Sequence, residues 1–246
     1  MAVDFRIVIP ARYASLRLPG KPLRRIHGKP MIEWVYQAAQ QANASEIVVA
    51  TDDQRIYDQV AGFGGDACMT ASSHRSGTDR ILEVIKIRQW SRDSIVVNLQ
   101  GDEPLMPAVN IVQVAENLAA NDCSMATLHK LIDLTGAQDP NQVKLVHDQS
   151  GHALYFSRSL IPYDRSGELE QYFGHIGIYA YRAGFLETFS QLAPCELEIT
   201  ESLEQLRALY NGYSIHSEIA RAIPGPGIDT EEDLARAKKL IAAMSP

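Results

Sequence analysis

Three short apolar runs, separated by segments with a helical repeat, constrain the fold of this chain more than any other feature. They are RIVIP at 6–10, EIVVAT at 46–51 and SIVVNLQ at 94–100, and each is rich in β-branched residues. Between the runs, residues 31–42 and 78–88 place their apolar side chains on one helical face. Near-continuous apolar strands that alternate with helices are typical of a parallel sheet covered on both faces. The first half is therefore predicted to be a doubly wound, mostly parallel α/β unit.

Beyond about residue 123 the pattern changes to adjacent strand-like runs, KLVHD, ALYFSR and GHIGIYAYR, with few helical intervals. This pattern predicts a smaller antiparallel sub-lobe at about 124–220 on the same sheet. We predict a helix over 201–210, a strand over 214–219 and a last helix over 230–244, where Thr230 and Asp233 resemble a weak capping box. At 246 residues with 46% hydrophobic residues, the chain is predicted to be a single domain, 1–246, that contains this sub-lobe.

Charge and cysteine content exclude several classes of protein. The net charge of −7 and the pI near 5.5 argue against a nucleic-acid surface, which needs a basic footprint. The amino terminus lacks the pattern of a signal peptide, and no apolar segment is long enough to span a bilayer. The three cysteines, Cys68, Cys123 and Cys195, are far apart and form no CxxC pair. We expect the reducing cytoplasm and no membrane partner.

The loop VIPARYASLRLPGKPL places Arg12, Arg17 and Lys21 directly after the first apolar run. In open α/β sheets the ligand lies outside the carboxyl ends of the strands, and the first strand-to-helix turn commonly approaches a nucleotide. Gly20 permits close approach of the backbone, and the three cations can contact polyphosphate oxygens. A solvated basic loop is the alternative. The spacing fits neither a Walker A motif nor a GxGxxG fingerprint.

The same loop resembles the signature of the sugar nucleotidyltransferases, in the form found in CMP-3-deoxy-manno-octulosonate synthetases. The resemblance continues in family order over nearly the whole chain, through GKPMI, VATDD, SGTDR, NLQGDEPL, ALYFSRSLIPYDR, HIGIYAYRAGF, ESLEQLRAL and GIDTEEDL. It implies an enzyme that binds CTP and a 3-deoxy-octulosonic acid, uses Mg²⁺ and forms a homodimer. The product would feed lipopolysaccharide synthesis.

The resemblance also implies roles for individual residues. The catalytic set would be Arg12, Lys21, Asp102 and Asp229, with Asp102 and Asp229 as the Mg²⁺ ligands. The nucleotide set would be Pro10, Ala11, Arg12, Arg17, Lys21, Ser76, Gly77, Thr78 and Asp102. The sugar-acid set would be Gln100, Arg158, His175, Tyr179, Glu201 and Gln205.

The residues alone leave structural alternatives open. Asp102 could simply end a strand in a turn, and the hydroxyls of SGTDR could be helix caps. The pair formed by His175 and Tyr179 could be a satisfied strand pair in the core. Glu201 and Glu204 lie near one face of the predicted helix and could be solvated charges. The alternation of LYFSR would place Arg158 beside Phe156 on an apolar strand face, where Asp164 could be its ion-pair partner.

The implied reaction is attack of the anomeric hydroxyl on the α-phosphorus of CTP, with Mg²⁺ polarising the phosphoryl group and the basic loop neutralising the leaving pyrophosphate. Three alternatives remain at this stage. One is a cytidylyltransferase for another 2-keto sugar acid, such as an amino-substituted octulosonate or neuraminate. The others are a nucleotidyltransferase for a sugar phosphate and a non-catalytic nucleotide-binding module. The chain also departs from the family pattern in a short segment at 166–172 and in Gly174, where an arginine commonly precedes the histidine.

Overall fold

The computed structural model describes residues 3–14, 17–74 and 76–244. The strands are β1 (Phe5–Ala11), β2 (Arg25–Ile26), β3 (Lys29–Pro30), β4 (Glu46–Thr51), β5 (Ala67–Met69), β6 (Ile95–Asn98), β7 (Met125–Ile132), β8 (Lys144–His147), β9 (Ala153–Ser157), β10 (Tyr172–Arg182) and β11 (Ile215–Ile219). The helices are α1 (Met31–Gln40), α2 (Gln54–Gly62), α3 (Gly77–Arg88), α4 (Ala108–Ala120), α5 (Leu134–Gln138), α6 (Ala183–Phe189), α7 (Glu196–Glu201), α8 (Leu206–Tyr210) and α9 (Glu231–Met244). A 3₁₀ turn covers Lys21–Leu23.

One large sheet carries the fold, with strand order β11-β7-β10-β6-β1-β4-β5. Strand β1 pairs in parallel with β4 and β6, and β4 pairs in parallel with β5. Strand β10 runs antiparallel to β6, β7 and β8, and β8 runs antiparallel to β9. The predicted α/β class, with an antiparallel addition to a mostly parallel nucleotidyltransferase-type sheet, is confirmed. The antiparallel strands continue the main sheet, and the division at 124–220 stays a prediction.

Helices cover both faces of the sheet, as the apolar runs predicted. In β1, Ile7 and Ile9 pack into the cluster that includes α1 and α4, whereas Val8 packs on the opposite side with Ile81 and Ile85 of α3. Successive side chains of a strand point to opposite faces, so a run that is apolar at every position must be buried on both. Within the described ranges, no helix is both long and apolar enough to cross a bilayer. The three cysteines are free and buried.

The single helix predicted over 201–210 is wrong. Helix α7 ends at Glu201, Ser202 adopts a left-handed conformation with φ of 52°, and α8 begins only at Leu206. The break turns Glu201 toward β9 and Glu204 toward α3, so the two carboxylates do not share a helical face. The predicted continuation of strand β9 to Arg158 is also wrong, because β9 ends at Ser157. The predicted capping box at Thr230 and Asp233 is present.

Candidate active site

The carboxyl ends of β1 and β6 lie side by side and form the floor of the candidate site. The turn after β6 brings Gly101 so close to β1 that a Cβ atom at this position would lie 2.8 Å from the carbonyl oxygen of Pro10. Real Cβ atoms essentially never come this close to a backbone oxygen, so the turn depends on glycine. This contact places Gln100 and Asp102 beside Pro10 and Ala11.

The basic loop folds back over this floor. Gly20 has φ of 65° and precedes the 3₁₀ turn that carries Lys21. An Nη of Arg12 donates a hydrogen bond to the carbonyl oxygen of Ser76 at 2.8 Å, which ties the loop to the start of α3. Arg17 forms an ion pair with Asp229 at 3.0 Å. Ser15 and Leu16, which complete the loop, lie outside the described residues.

Lys21 joins the two aspartates that the sequence singled out. Its Nζ lies 2.5 Å from an oxygen of Asp102 and 2.9 Å from an oxygen of Asp229. Burial lowers the pKa of Lys21, but the charges and hydrogen bonds of the two aspartates outweigh it and raise that pKa above its ordinary value. The backbone holds the aspartates together as well, because the N–H of Ile228 donates to the carbonyl of Asp102 at 2.9 Å.

The carboxylate oxygens of Asp102 and Asp229 suit a hard divalent cation. Two carboxylates already converge on one ammonium, which stands in for a cation. No cluster of three or more His, Cys, Asp or Glu side chains suited to a metal occurs in the described part of the chain. Mg²⁺ is commonly held by one or two carboxylates, with substrate phosphates and waters as its other ligands. Asp102 and Asp229 are therefore sufficient as protein ligands for such a site.

Two cavities meet at this cluster. The Lys21 cavity, of about 280 Å³, is lined by Pro10, Ala11, Arg12, Ala14, Lys21, Pro22, Gly77, Gln100, Gly101 and Asp102. The Arg158 cavity, of about 750 Å³, is lined by Arg17, Asn141, Arg158, Ser202, Asp229, Thr230, Glu232 and Asp233. Because Lys21 and Asp229 line different cavities and contact each other, the arrangement can hold two ligands next to each other with carboxylates at their junction.

The start of α3 contributes to the first cavity through its backbone. Ser76 is the N-cap and forms a reciprocal capping box with Asp79, and Gly77 lines the Lys21 cavity. The hydroxyl of Thr78 donates to Glu204 at 2.6 Å. Burial raises the pKa of Glu204, although hydrogen bonds from Thr78 and Ser76 oppose this shift. The hydroxyls are thus engaged within the protein, and the backbone N–H groups at this helix start are the groups suited to an anion.

Arg158 is held by the segment around Glu201. Its backbone N–H donates to the Glu201 carboxylate at 2.8 Å, and its Nε donates to the Glu201 carbonyl at 2.7 Å. An Nη of Arg158 donates to the carbonyl of Pro140 at 3.0 Å. The alternative partner, Asp164, instead accepts hydrogen bonds from residues of its own turn, such as Leu169. The guanidinium therefore meets neutral carbonyls and lines the Arg158 cavity.

The other residues assigned to the sugar acid are more dispersed. His175 forms a hydrogen bond with Thr127 at 3.0 Å, and burial together with His129 lowers the pKa of His175 to about 3. Burial, Tyr181 and Glu204 raise the pKa of Tyr179 well above its ordinary value. His175, Tyr179 and Gln205 line neither cavity. Gln100 lines the Lys21 cavity, where it donates to Asn98.

Gly174 cannot be replaced by the arginine of the family pattern without movement. A Cβ atom here would lie 2.9 Å from Cγ2 of Ile132 and 3.2 Å from Cδ of Gln142. The backbone of β10 therefore packs directly against β7 and the turn before β8 at this point. The presence of glycine instead of arginine at position 174 is therefore explained by the close packing of these elements.

Sequence reasoning missed two buried groups beside the site. Arg80 in α3 is fully buried, and its guanidinium bonds Asp52 at 2.9 Å and the hydroxyl of Thr70, which ties α3 to the carboxyl ends of β4 and β5. Burial and the neighbouring Asp102 raise the pKa of Glu103 to about 8, although Lys130 opposes the shift. The available signal for Arg80 was its place among the apolar residues of the predicted helix over 78–88. Glu103 had no signal apart from its place next to Asp102.

The architecture and the arrangement of charges indicate a nucleotide-binding enzyme. An α/β sheet with a basic loop after its first strand, and with two carboxylates at the junction of two cavities, is suited to joining a nucleotide to a second ligand. The family model of cytidylyltransferases matches residues 6–219. A cytidylyltransferase from Leptospira borgpetersenii has the same fold, with a TM-score of 0.65 at 15% identity over 98% of this chain and 87% of its own.

More similar proteins specify the family further. A 3-deoxy-manno-octulosonate cytidylyltransferase from Vibrio vulnificus is 53% identical over 99% of this chain and 100% of its own length. The same enzyme from Haemophilus influenzae is 47% identical over 98% of this chain and 100% of its own. The solved structure of a CMP:2-keto-3-deoxy-manno-octonic acid synthetase with CTP gives a TM-score of 0.92 at 45% identity, over 98% of this chain and 99% of that one. The chain belongs to the 3-deoxy-manno-octulosonate cytidylyltransferase family.

Proposed function

We propose that this chain transfers CMP from CTP to the anomeric hydroxyl of 3-deoxy-D-manno-octulosonate and releases pyrophosphate. The observation that carries the proposal is the Lys21 ammonium between Asp102 and Asp229, at the junction of the Lys21 cavity and the Arg158 cavity. The basic loop beside the first cavity suits a triphosphate, and the guanidinium in the second suits a carboxylate. Relatives that match over nearly the whole of both chains carry the name of this activity.

In this reaction the anomeric oxygen forms a bond to the α-phosphorus as the bond from that phosphorus to the bridging oxygen breaks. Arg12, Arg17 and Lys21 would stabilise the charge that develops on the leaving pyrophosphate. The backbone N–H groups at the start of α3 would orient the nucleotide. Arg158 would hold the sugar carboxylate, so that the anomeric hydroxyl faces the α-phosphorus. No side chain needs to form a covalent intermediate.

Magnesium belongs to the proposal through Asp102 and Asp229. Bound there, Mg²⁺ would polarise the phosphoryl group and lower the pKa of the attacking hydroxyl. Lys21 would then release the two carboxylates and donate to phosphate oxygens instead, because its ammonium and a divalent cation compete for the same oxygens. The remaining parts of the proposal are the reducing cytoplasm, a homodimer and supply of the product to lipopolysaccharide synthesis. They rest on the family, and the free cysteines are consistent with the compartment.

Pyrophosphate release is the measurement that tests this function. The purified chain is incubated with each of the four nucleoside triphosphates and a panel of acceptors: octulosonate, its amino-substituted analogue, neuraminate and a sugar phosphate. We expect release with CTP and octulosonate, and none after addition of EDTA. Faster pyrophosphate release with the amino sugar or with neuraminate would identify that compound as the substrate instead. CTP binding without pyrophosphate release with any acceptor would favour a binding module.

A further inference from the structure

Lys144 is a fully buried lysine at the start of β8. Its Nζ donates to three backbone carbonyls, those of Asp139 at 3.0 Å, Gln142 at 2.7 Å and Arg158 at 2.5 Å. No carboxylate forms an ion pair with Lys144 in the part of the chain that the structure describes. Its hydrogen-bonding capacity is used, yet its charge is not neutralised by direct contact.

A buried ammonium of this kind is costly. Transfer of a charge from water into the interior is unfavourable unless the charge is paired, and three neutral acceptors compensate it only in part. Burial accordingly lowers the pKa of Lys144, while the more distant Asp139 and Glu201 raise it and Arg158 lowers it. A methionine of similar length would avoid this cost but would leave three carbonyl groups without their donor. The lysine therefore supplies two things here, donors that hold the three carbonyls together and a positive charge.

Through these three carbonyls, Lys144 connects two separate parts of the wall of the Arg158 cavity. Asp139 and Gln142 belong to the turn between α5 and β8, and the third carbonyl belongs to Arg158. The guanidinium of Arg158 holds the same turn from the other side through the carbonyl of Pro140. Asn141, from this turn, and Arg158 both line the Arg158 cavity. Movement of Lys144 would thus displace the turn and Arg158 together.

We propose that Lys144 is a positioning residue of the Arg158 cavity, which fixes the 139–142 turn against Arg158 and adds a second positive charge behind it for an acidic substrate. The field of a charge is weakly screened when low-dielectric protein lies between it and its target. Arg17 and Arg158 line the cavity together with the carboxylates of Asp229, Glu232 and Asp233. Because Arg17 is paired with Asp229, the charge of Lys144 behind Arg158 would offset the remaining carboxylates and favour an acidic substrate over a neutral sugar. The inference rests on the proposed function for the identity of the acid.

Two substitutions separate the positioning role from the charge. Lys144→Gln keeps two N–H donors without a charge, and Lys144→Met removes both. For each variant we would measure KM for octulosonate, KM for CTP, and inhibition by 2-deoxy analogues of the sugar acid and of its uncharged methyl ester. Thermal unfolding would set an assay temperature at which every variant is folded. Arg80→Met is the matched control, because Arg80 is an equally buried cation on the nucleotide side.

We expect both variants to raise KM for the sugar acid about tenfold, which corresponds to about 1.4 kcal/mol, with KM for CTP within about twofold. In Lys144→Gln, inhibition by the acid should weaken more than inhibition by the ester, whereas Arg80→Met should leave KM for the sugar acid unchanged. If the folded Gln variant keeps the KM of the wild type, or if both KM values rise together, the inference is wrong. Equal weakening of acid and ester would refute the part played by charge. An inactive wild-type chain would instead refute the proposed function.

Discussion

Removing the Lys21 ammonium by Lys21→Met tests the cluster at the junction of the two cavities. The ammonium makes two charge-assisted hydrogen bonds, to Asp102 and Asp229. Such bonds contribute about 1.5–3 kcal/mol each, but the aspartate side chains are 29% and 46% exposed, and desolvation of the lysine opposes the gain. We therefore expect the free energy of unfolding without metal to fall by about 1–3 kcal/mol. For a chain of this length, that lowers Tm by roughly 2–12 °C.

The same substitution should also change how strongly magnesium stabilises the protein. Because the ammonium no longer occupies the two carboxylates, Mg²⁺ should stabilise Lys21→Met more than it stabilises the wild type. Differential scanning fluorimetry with EDTA and then with increasing MgCl₂ measures both effects, since ligand binding to the folded state raises Tm. Lys239→Met is the control, because Lys239 is an exposed lysine of α9.

We expect Lys239→Met to shift neither Tm nor the magnesium response measurably. Turnover of Lys21→Met should fall even at saturating MgCl₂, because the triphosphate has lost a cation. An unchanged Tm of Lys21→Met in EDTA, together with a magnesium response equal to that of the wild type, would show that Lys21 does not bridge the aspartates in solution.

Three further predictions follow from other parts of the site. Arg158→Lys should raise KM for the sugar acid about tenfold at constant CTP affinity, because lysine cannot form a bidentate pair with a carboxylate; calorimetric loss of CTP binding would assign Arg158 to the nucleotide instead. Gly101→Ala should destabilise the fold by roughly 1–3 kcal/mol and weaken CTP, since its Cβ would lie 2.8 Å from the Pro10 carbonyl; an unchanged urea midpoint would contradict this. The pKa values of His129 and His175 are lowered to about 4 and about 3. The free energy of unfolding should therefore be at its full value above about pH 6.5, the ordinary pKa of histidine, and should fall at lower pH by up to about 1.4 kcal/mol per pH unit for each histidine. Equal urea midpoints at pH 7 and pH 5 would refute that assignment.

The strands of the first half could be predicted from local residue patterns alone. The structure places β1, β4 and β6 within two residues of the predicted runs, because an unbroken β-branched run carries its own signal for a strand buried on both faces. The position of the basic loop followed from β1, and its chemistry followed from its own residues. Local composition was sufficient in each case.

The contacts between charged side chains, by contrast, depend on how distant segments pack together. Lys21 contacts Asp102 and Asp229, and nothing in the local pattern of any of the three specifies such a contact. The break at Ser202 was missed for a related reason. Residues 201–210 suit a helix locally, but Glu201 and Glu204 each hydrogen-bond a different element, β9 and α3. Both carboxylates are partly buried and need hydrogen-bond partners there, and these contacts outweigh the few tenths of a kcal/mol per residue that helix propensity contributes.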